Sequence, residues 1–252
     1  MKTKIIAAAA LLLAAAGAFC GRRYYTTTYL PQKRLDDAVK KQEEIIAGIR
    51  PDVRALAAAS GETPADPLEY CENVNDDIVG WITIPDTNID LPIVQGEDND
   101  FYLHNGVDGQ YNYELGCPFL DYRCSRDLSG LNSIVYAHNM EGRQMFADIP
   151  LFRDEAFLEA HSSGVLTLKD GQHNVRFFAY LSPLSTSPLY NTVFVSESER
   201  REYTDFLFRS ADHTSFFTAE ELSGREELRL LLLSTCTFET DESRGVLAGI
   251  IE

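Results

Sequence analysis

Leu228-Arg229-Leu230-Leu231-Leu232-Leu233-Ser234-Thr235-Cys236 is an apolar run that ends in a cysteine, and Arg244 opens a second one that continues through Val246 to Ile251. A seven-residue connection, Thr237 to Ser243, lets the two runs pair as a hairpin with strands ~4.8 Å apart. The Cys236 and Arg244 side chains then meet at the hairpin mouth. Alternation with period two puts Ser234 on the face of Cys236, so Ser234 is expected to line the same groove.

Outward from this hairpin, the chain from Ile78 on is built of similar short runs separated by turn residues. They are Val79 to Ile84, Ile89 to Val94, Gly116 to Leu120, Ser133 to Ala137, Val165 to Leu168 and Val175 to Leu181. Together with the hairpin strands they make eight, which reads as a mostly β domain, a barrel or a sandwich. Two later segments read as helices, Asp154 to His161 and Glu197 to Ser210. The second carries Tyr203, Phe206 and Leu207 as an apolar stripe and falls between the sixth and seventh strands.

Upstream, Leu35, Val39, Ile46, Ile49, Val53 and Leu56 recur at steps of about three and four, interrupted by Gln42, which marks an amphipathic helical region. It reads as a stalk or as a helix packed on the domain, and Pro51 is expected to split or kink it. Ser60 to Pro67 is rich in breakers and reads as a linker. Residues 1–23 read as an export element: Lys2 and Lys4, an apolar run from Ile5 to Phe19, then Arg22 and Arg23. The run is short for a span of ~20 residues and also suits a signal peptide, for which Ala16-Gly17-Ala18 offers a cleavage site. The reading taken is an N-terminal membrane anchor carrying an extracytoplasmic domain, with cleavage and secretion as the alternative. The resulting division is an anchor or signal over 1–23, a helical stalk and linker over 24–67 and a catalytic domain over 68–252.

The formal net charge is −17, and residues 1–23 hold four basic and no acidic side chains, so the remainder is more acidic still. Nucleic acid is therefore excluded as a partner, since binding phosphates needs clustered Lys and Arg. The five cysteines, Cys20, Cys71, Cys117, Cys124 and Cys236, are too few for a disulfide scaffold of this size. Of two readings for Cys117 and Cys124, a pair across a turn and two unrelated buried thiols, the second is taken, since pairing cannot be deduced from sequence. No His, Cys and carboxylate cluster has metal-ligand spacing, so neither metal nor cofactor is expected.

A nucleophilic Cys236 needs a partner that makes thiolate, because a free thiol of pKa ~8.5 is only a few per cent ionised at neutral pH. Among His104, His138, His161, His173 and His213, only His138 directly follows an apolar strand, Ile134-Val135-Tyr136-Ala137, at its exposed end. A strand-end histidine and a strand-end cysteine can share one rim of a barrel. Arg244 stays protonated and is suited to stabilising the oxyanion formed when a thiolate attacks a carbonyl.

Five segments, Gly80-Trp81-Ile82-Thr83-Ile84-Pro85, Leu91-Pro92-Ile93-Val94-Gln95-Gly96, Gly116-Cys117-Pro118-Phe119-Leu120-Asp121-Tyr122-Arg123, Tyr136-Ala137-His138-Asn139-Met140 and Leu233-Ser234-Thr235-Cys236, followed by Arg244, resemble class B sortases in the same order. The resemblance covers about residues 68 to 252. It implies an eight-stranded sortase-type β-barrel with N-terminal helices and a helix between strands 6 and 7. It also implies a cysteine transpeptidase that cleaves a C-terminal sorting signal through a thioacyl enzyme and hands the product to a cell-wall precursor or other amine acceptor. Carried over by position, Cys236 is the nucleophile, His138 the general acid or base and Arg244 the oxyanion group. The same resemblance places Leu103, Tyr190 and Asn99 with Ser234 in the substrate groove. Competing readings are a hydrolytic cysteine protease, a non-catalytic surface module and a pilus-assembling class C sortase. Asp66-Pro67-Leu68 lacks the aromatic residue of the class C lid motif.

Overall fold

The computed structural model describes residues 16–51, 66–113, 115–236 and 243–252. Its strands are β1 (Ile78–Thr83), β2 (Asp90–Val94), β3 (Phe119–Leu120), β4 (Asn132–Tyr136), β5 (Asn139–Met140), β6 (Gln144–Met145), β7 (Ser163–Leu168), β8 (Gly171–Leu181), β9 (Ala211–Thr214), β10 (Leu230–Cys236) and β11 (Arg244–Ile251). Neighbouring strands run in the order β11, β10, β4, β3, β2, β1, β7, β8, and β8 pairs back onto β11. The ring is thereby closed as an eight-stranded barrel, as the resemblance implies, and closure removes the free edges that invite aggregation. β9 lies outside it, added along β8, and β5 and β6 form a separate small hairpin. Sequence patterning missed both, because strands of two to four residues carry too few alternations to be recognised.

The unbroken leucine run of β10 follows from its position. Leu231 and Leu233 face the barrel interior with Leu247 and Ile251 of β11, whereas Leu230 and Leu232 face the opposite way with Val246, Ala248 and Ile250. Helix α5 (Glu197–Ser210) covers that outer face through Tyr203 and Leu207. A strand buried on both faces reads as a continuous apolar run instead of an alternating one. The Ser196 side chain caps α5 by accepting from the Glu199 amide, which satisfies one of the donors a helix start leaves open. The helix occupies the place anticipated for it.

Helix α1 (Leu30–Ile49) lies along the barrel, burying Ala38, Gln42 and Ile49. Leu35, Val39 and Ile46 pack against the barrel core. Of the two readings of this segment, the packed helix is the one observed. The helix ends before Arg50, whose extended backbone (φ −56°, ψ 125°) is the conformation that a following proline imposes. Val53, Leu56 and most of the linker lie outside the described residues, as do residues 1–15 of the apolar leader. Among the described residues no helix is long and apolar enough to cross a membrane. The described residues also include the short helices α2 (Glu69–Glu72), α3 (Phe101–His104), α4 (Glu155–Ala160) and α6 (Ala219–Ser223). Cys117 and Cys124 are separate thiols, one buried and one half-buried.

Candidate active site

The site is assembled by strand register. β4 and β10 run parallel, with Leu230 opposite Asn132 and Ser234 opposite Tyr136, and the Ala137 amide continues the ladder by donating to the Ser234 carbonyl at 3.1 Å. Two residues beyond the last pair stand His138 and Cys236. On its other side β10 is antiparallel to β11, and there Cys236 pairs directly with Arg244. The last residue of β10 is therefore the register partner of Arg244 on one side, and on the other side β10 runs beside β4, whose chain continues past Tyr136 to His138.

These strand ends open into a cleft of about 510 Å³, lined by His138, Arg244, Ser234, Leu103, Tyr190 and Asn99 among others. Every substrate residue named from the sequence thus reaches the cavity that holds His138 and Arg244. Of the five histidines, His138 is the one in the cleft. His161 donates from Nδ1 to the Phe157 carbonyl, His173 pairs with Asp170 and His213 packs on Tyr180.

His138 is half-buried, and its Nε2 lies 2.8 Å from the Leu103 carbonyl oxygen of α3. A carbonyl can only accept, so Nε2 carries a proton and Nδ1 is the nitrogen left to exchange one. The Leu103 contribution to the site therefore includes its main chain. Arg244 donates from Nη1 to the Ser243 carbonyl at 3.0 Å, and its backbone amide donates to the Pro183 carbonyl.

The far wall of the cleft hangs on a carboxylate that sequence reasoning did not single out. Asp121 is fully buried and takes a fork of two bonds from Arg123, Nε at 2.9 Å and Nη2 at 2.6 Å. Tyr136 donates its hydroxyl to the same carboxylate at 3.0 Å. Burial on its own would raise the Asp121 carboxyl, but the Arg123 bonds together with Asn99 hold it below the usual carboxylate range. Arg123 Nη2 reaches on to the Tyr190 carbonyl at 3.2 Å, while the Tyr190 and Ser234 hydroxyls lie 3.0 Å apart. The Tyr203 hydroxyl of α5 bonds the Leu189 carbonyl at 2.8 Å, so helix and carboxylate together hold the turn that presents Tyr190. Phe119, Tyr136 and Tyr190 form a chain of tilted rings with centroids 5.5 and 6.0 Å apart. Asp121 and Arg123 stand two residues apart in one of the quoted segments. An acid two residues from a base is nonetheless ordinary on a surface, and only burial makes it a scaffold.

No family model matches the chain. It is 33% identical over 191 residues to Sortase B of Listeria monocytogenes, an alignment that spans 76% of this chain and 75% of the relative. A Streptococcus pyogenes class B sortase involved in pilus biogenesis superimposes with a TM-score of 0.63 at 29% identity, over 72% of this chain and 96% of that one. A Staphylococcus aureus sortase B–substrate complex shares the fold with a TM-score of 0.72 at 23% identity, over 84% of this chain and 97% of that one. Identity at this level across three quarters of both chains, on a closed eight-stranded barrel with a cleft at these strand ends, means that the chain belongs to the class B sortases, which are cysteine transpeptidases.

Proposed function

We propose that Cys236, His138 and Arg244 carry the transpeptidation, that the donor is a C-terminal sorting signal of surface proteins, and that the acceptor is an amine of a cell-wall precursor. The Cys236 thiolate adds to the scissile carbonyl, forming a C–S bond and an oxyanion. The Arg244 guanidinium faces that oxyanion. Collapse breaks the C–N bond, and the leaving amine takes the Nδ1 proton of His138 while the acyl group stays on sulfur. The acceptor amine then attacks the thioester, returns a proton to His138 and releases Cys236. Ser234, Leu103, Tyr190 and Asn99 grip the signal peptide. The reading is supported above all by one observation, the ending of β10 between His138 and Arg244 at the mouth of a single cleft. In this reading residues 1–23 tether an extracytoplasmic catalytic domain.

A peptide library presented to the full-length chain, with an oligoglycine or a lysine-bearing peptide as amine, tests it. Cleavage should be followed by ligation to one of the amines, and Cys236→Ala and His138→Ala should each abolish both steps while keeping the fold. Cleavage by folded Cys236→Ala sinks the assignment of the nucleophile. Water as the sole acceptor would make the chain a protease.

A further inference from the structure

Gln42 interrupts the apolar stripe of α1, yet it is only 4% exposed and its amide is engaged at both ends. Nε2 donates to the Gly116 carbonyl at 3.0 Å, and Oε1 accepts from Asn112 Nδ2 at 2.8 Å. Asn112, also buried, clasps the same glycine: its Nδ2 donates to the Gly116 carbonyl at 3.1 Å and its Oδ1 accepts the Gly116 N–H at 3.0 Å. Gly106 leaves room for the pair, since a Cβ there would fall 2.5 Å from Gln42 Oε1.

The peptide held in this way presses on the site. Gly116 has φ +67°, and a Cβ built on it would lie 2.8 Å from the Tyr102 oxygen, 2.9 Å from the Leu103 oxygen and 3.1 Å from His138 Cδ2. The Leu103 oxygen is the acceptor that fixes the imidazole. Next to it, the Cys117 N–H bonds the Tyr102 carbonyl at 3.1 Å and ties the glycine segment to α3. An apolar side chain would have continued the stripe of Leu35, Val39, Ile46 and Ile49, so the amide at Gln42 is set apart by the bonds it makes to Gly116 and Asn112.

We infer that Gln42 is a positioning residue for His138, acting through Asn112 and Gly116, an inference that rests on the role of His138 proposed above. Gln42 thereby links the N-terminal helix to the site, although that helix contributes no strand to the barrel. The test is Gln42→Met in the full-length chain, which keeps length and helix propensity but removes the amide. Val39→Ala serves as a control that loosens the packing of the same helix.

Two readouts are needed: solvent exchange of the His138 Nε2 proton by NMR, identified by its loss in His138→Ala, and steady-state kinetics with the fluorogenic peptide selected from the library. Gln42→Met should exchange that proton at least ~10-fold faster and lose about 10-fold in kcat with KM within about twofold, since small misplacements of a catalytic group are costly. Val39→Ala should match the wild type in both. An unchanged exchange rate in folded Gln42→Met overturns the inference, as does an equal change in Val39→Ala. Faster exchange combined with full activity of His138→Ala overturns the role of His138 instead.

Discussion

Replacing Gly116 by alanine separates a backbone effect from an active-site effect. Gly116 and Gly109 adopt nearly the same left-handed conformation, φ +67° and +69°, but a Cβ at Gly109 meets nothing within 4 Å. Gly109→Ala should therefore cost only the conformational penalty of about 1–2 kcal/mol. Gly116→Ala adds an overpacking cost of about 1–3 kcal/mol, because the new methyl must displace two backbone oxygens. Its total of about 2–5 kcal/mol corresponds to a fall in Tm of roughly 4–20 °C at about 2–4 °C per kcal/mol for a protein of this size. One displaced oxygen is the Leu103 carbonyl that holds His138 Nε2, so kcat should fall by about 10²-fold. Gly109→Ala should turn over at the wild-type rate. Scanning calorimetry gives the first quantity and fluorogenic peptide kinetics the second, with circular dichroism confirming the fold. If folded Gly116→Ala turned over as fast as Gly109→Ala, the packing of that glycine against the carbonyl and imidazole would have no catalytic meaning.

Arg244→Lys keeps the charge but loses the planar fork of donors, so kcat should drop by about 10²- to 10³-fold with little change in KM; near-normal kcat would show that charge alone suffices there. Asp121→Asn addresses pH. The folded carboxyl titrates below its ordinary range, so its contribution to stability is present above the unfolded pKa near 3.9 and disappears as pH falls through the folded value. The variant should be less stable at pH 7 by about 1–3 kcal/mol, and its urea midpoint should change less than that of the wild type between about pH 5 and 2. A parallel acid limb would exclude Asp121 as its source. Iodoacetamide at neutral pH, read by peptide mapping, should label Cys236 while sparing Cys71 and Cys117. Burial, reinforced by Asp66 and Glu72, pushes the Cys71 thiol up to about 11, and burial drives Cys117 above the thiol range. Labelling of Cys117 at the rate of Cys236 would contradict this picture.

Sequence alone determined the eight barrel strands and helix α5, and it pointed to the trio Cys236, His138 and Arg244 proposed above. Each is announced by a local signal: an apolar run bounded by turns, an amphipathic stripe, or a reactive side chain at a strand end. Class B membership was also legible, since the order of short segments survives without coordinates. Tertiary structure decided which residues hold those groups in place. Gln42 in an apolar stripe reads as an interruption until the Gly116 carbonyl, 74 positions away, is found to accept from it. Asp121 and Arg123 read as surface charges until burial makes the first the anchor of Tyr136 and, through the second, of Tyr190. Gly116 reads as the start of a strand until α3 and His138 are found packed against it. A strand or helix is selected by neighbours a few residues apart, whereas a buried hydrogen bond depends on a partner that only closure of the barrel brings within 3 Å.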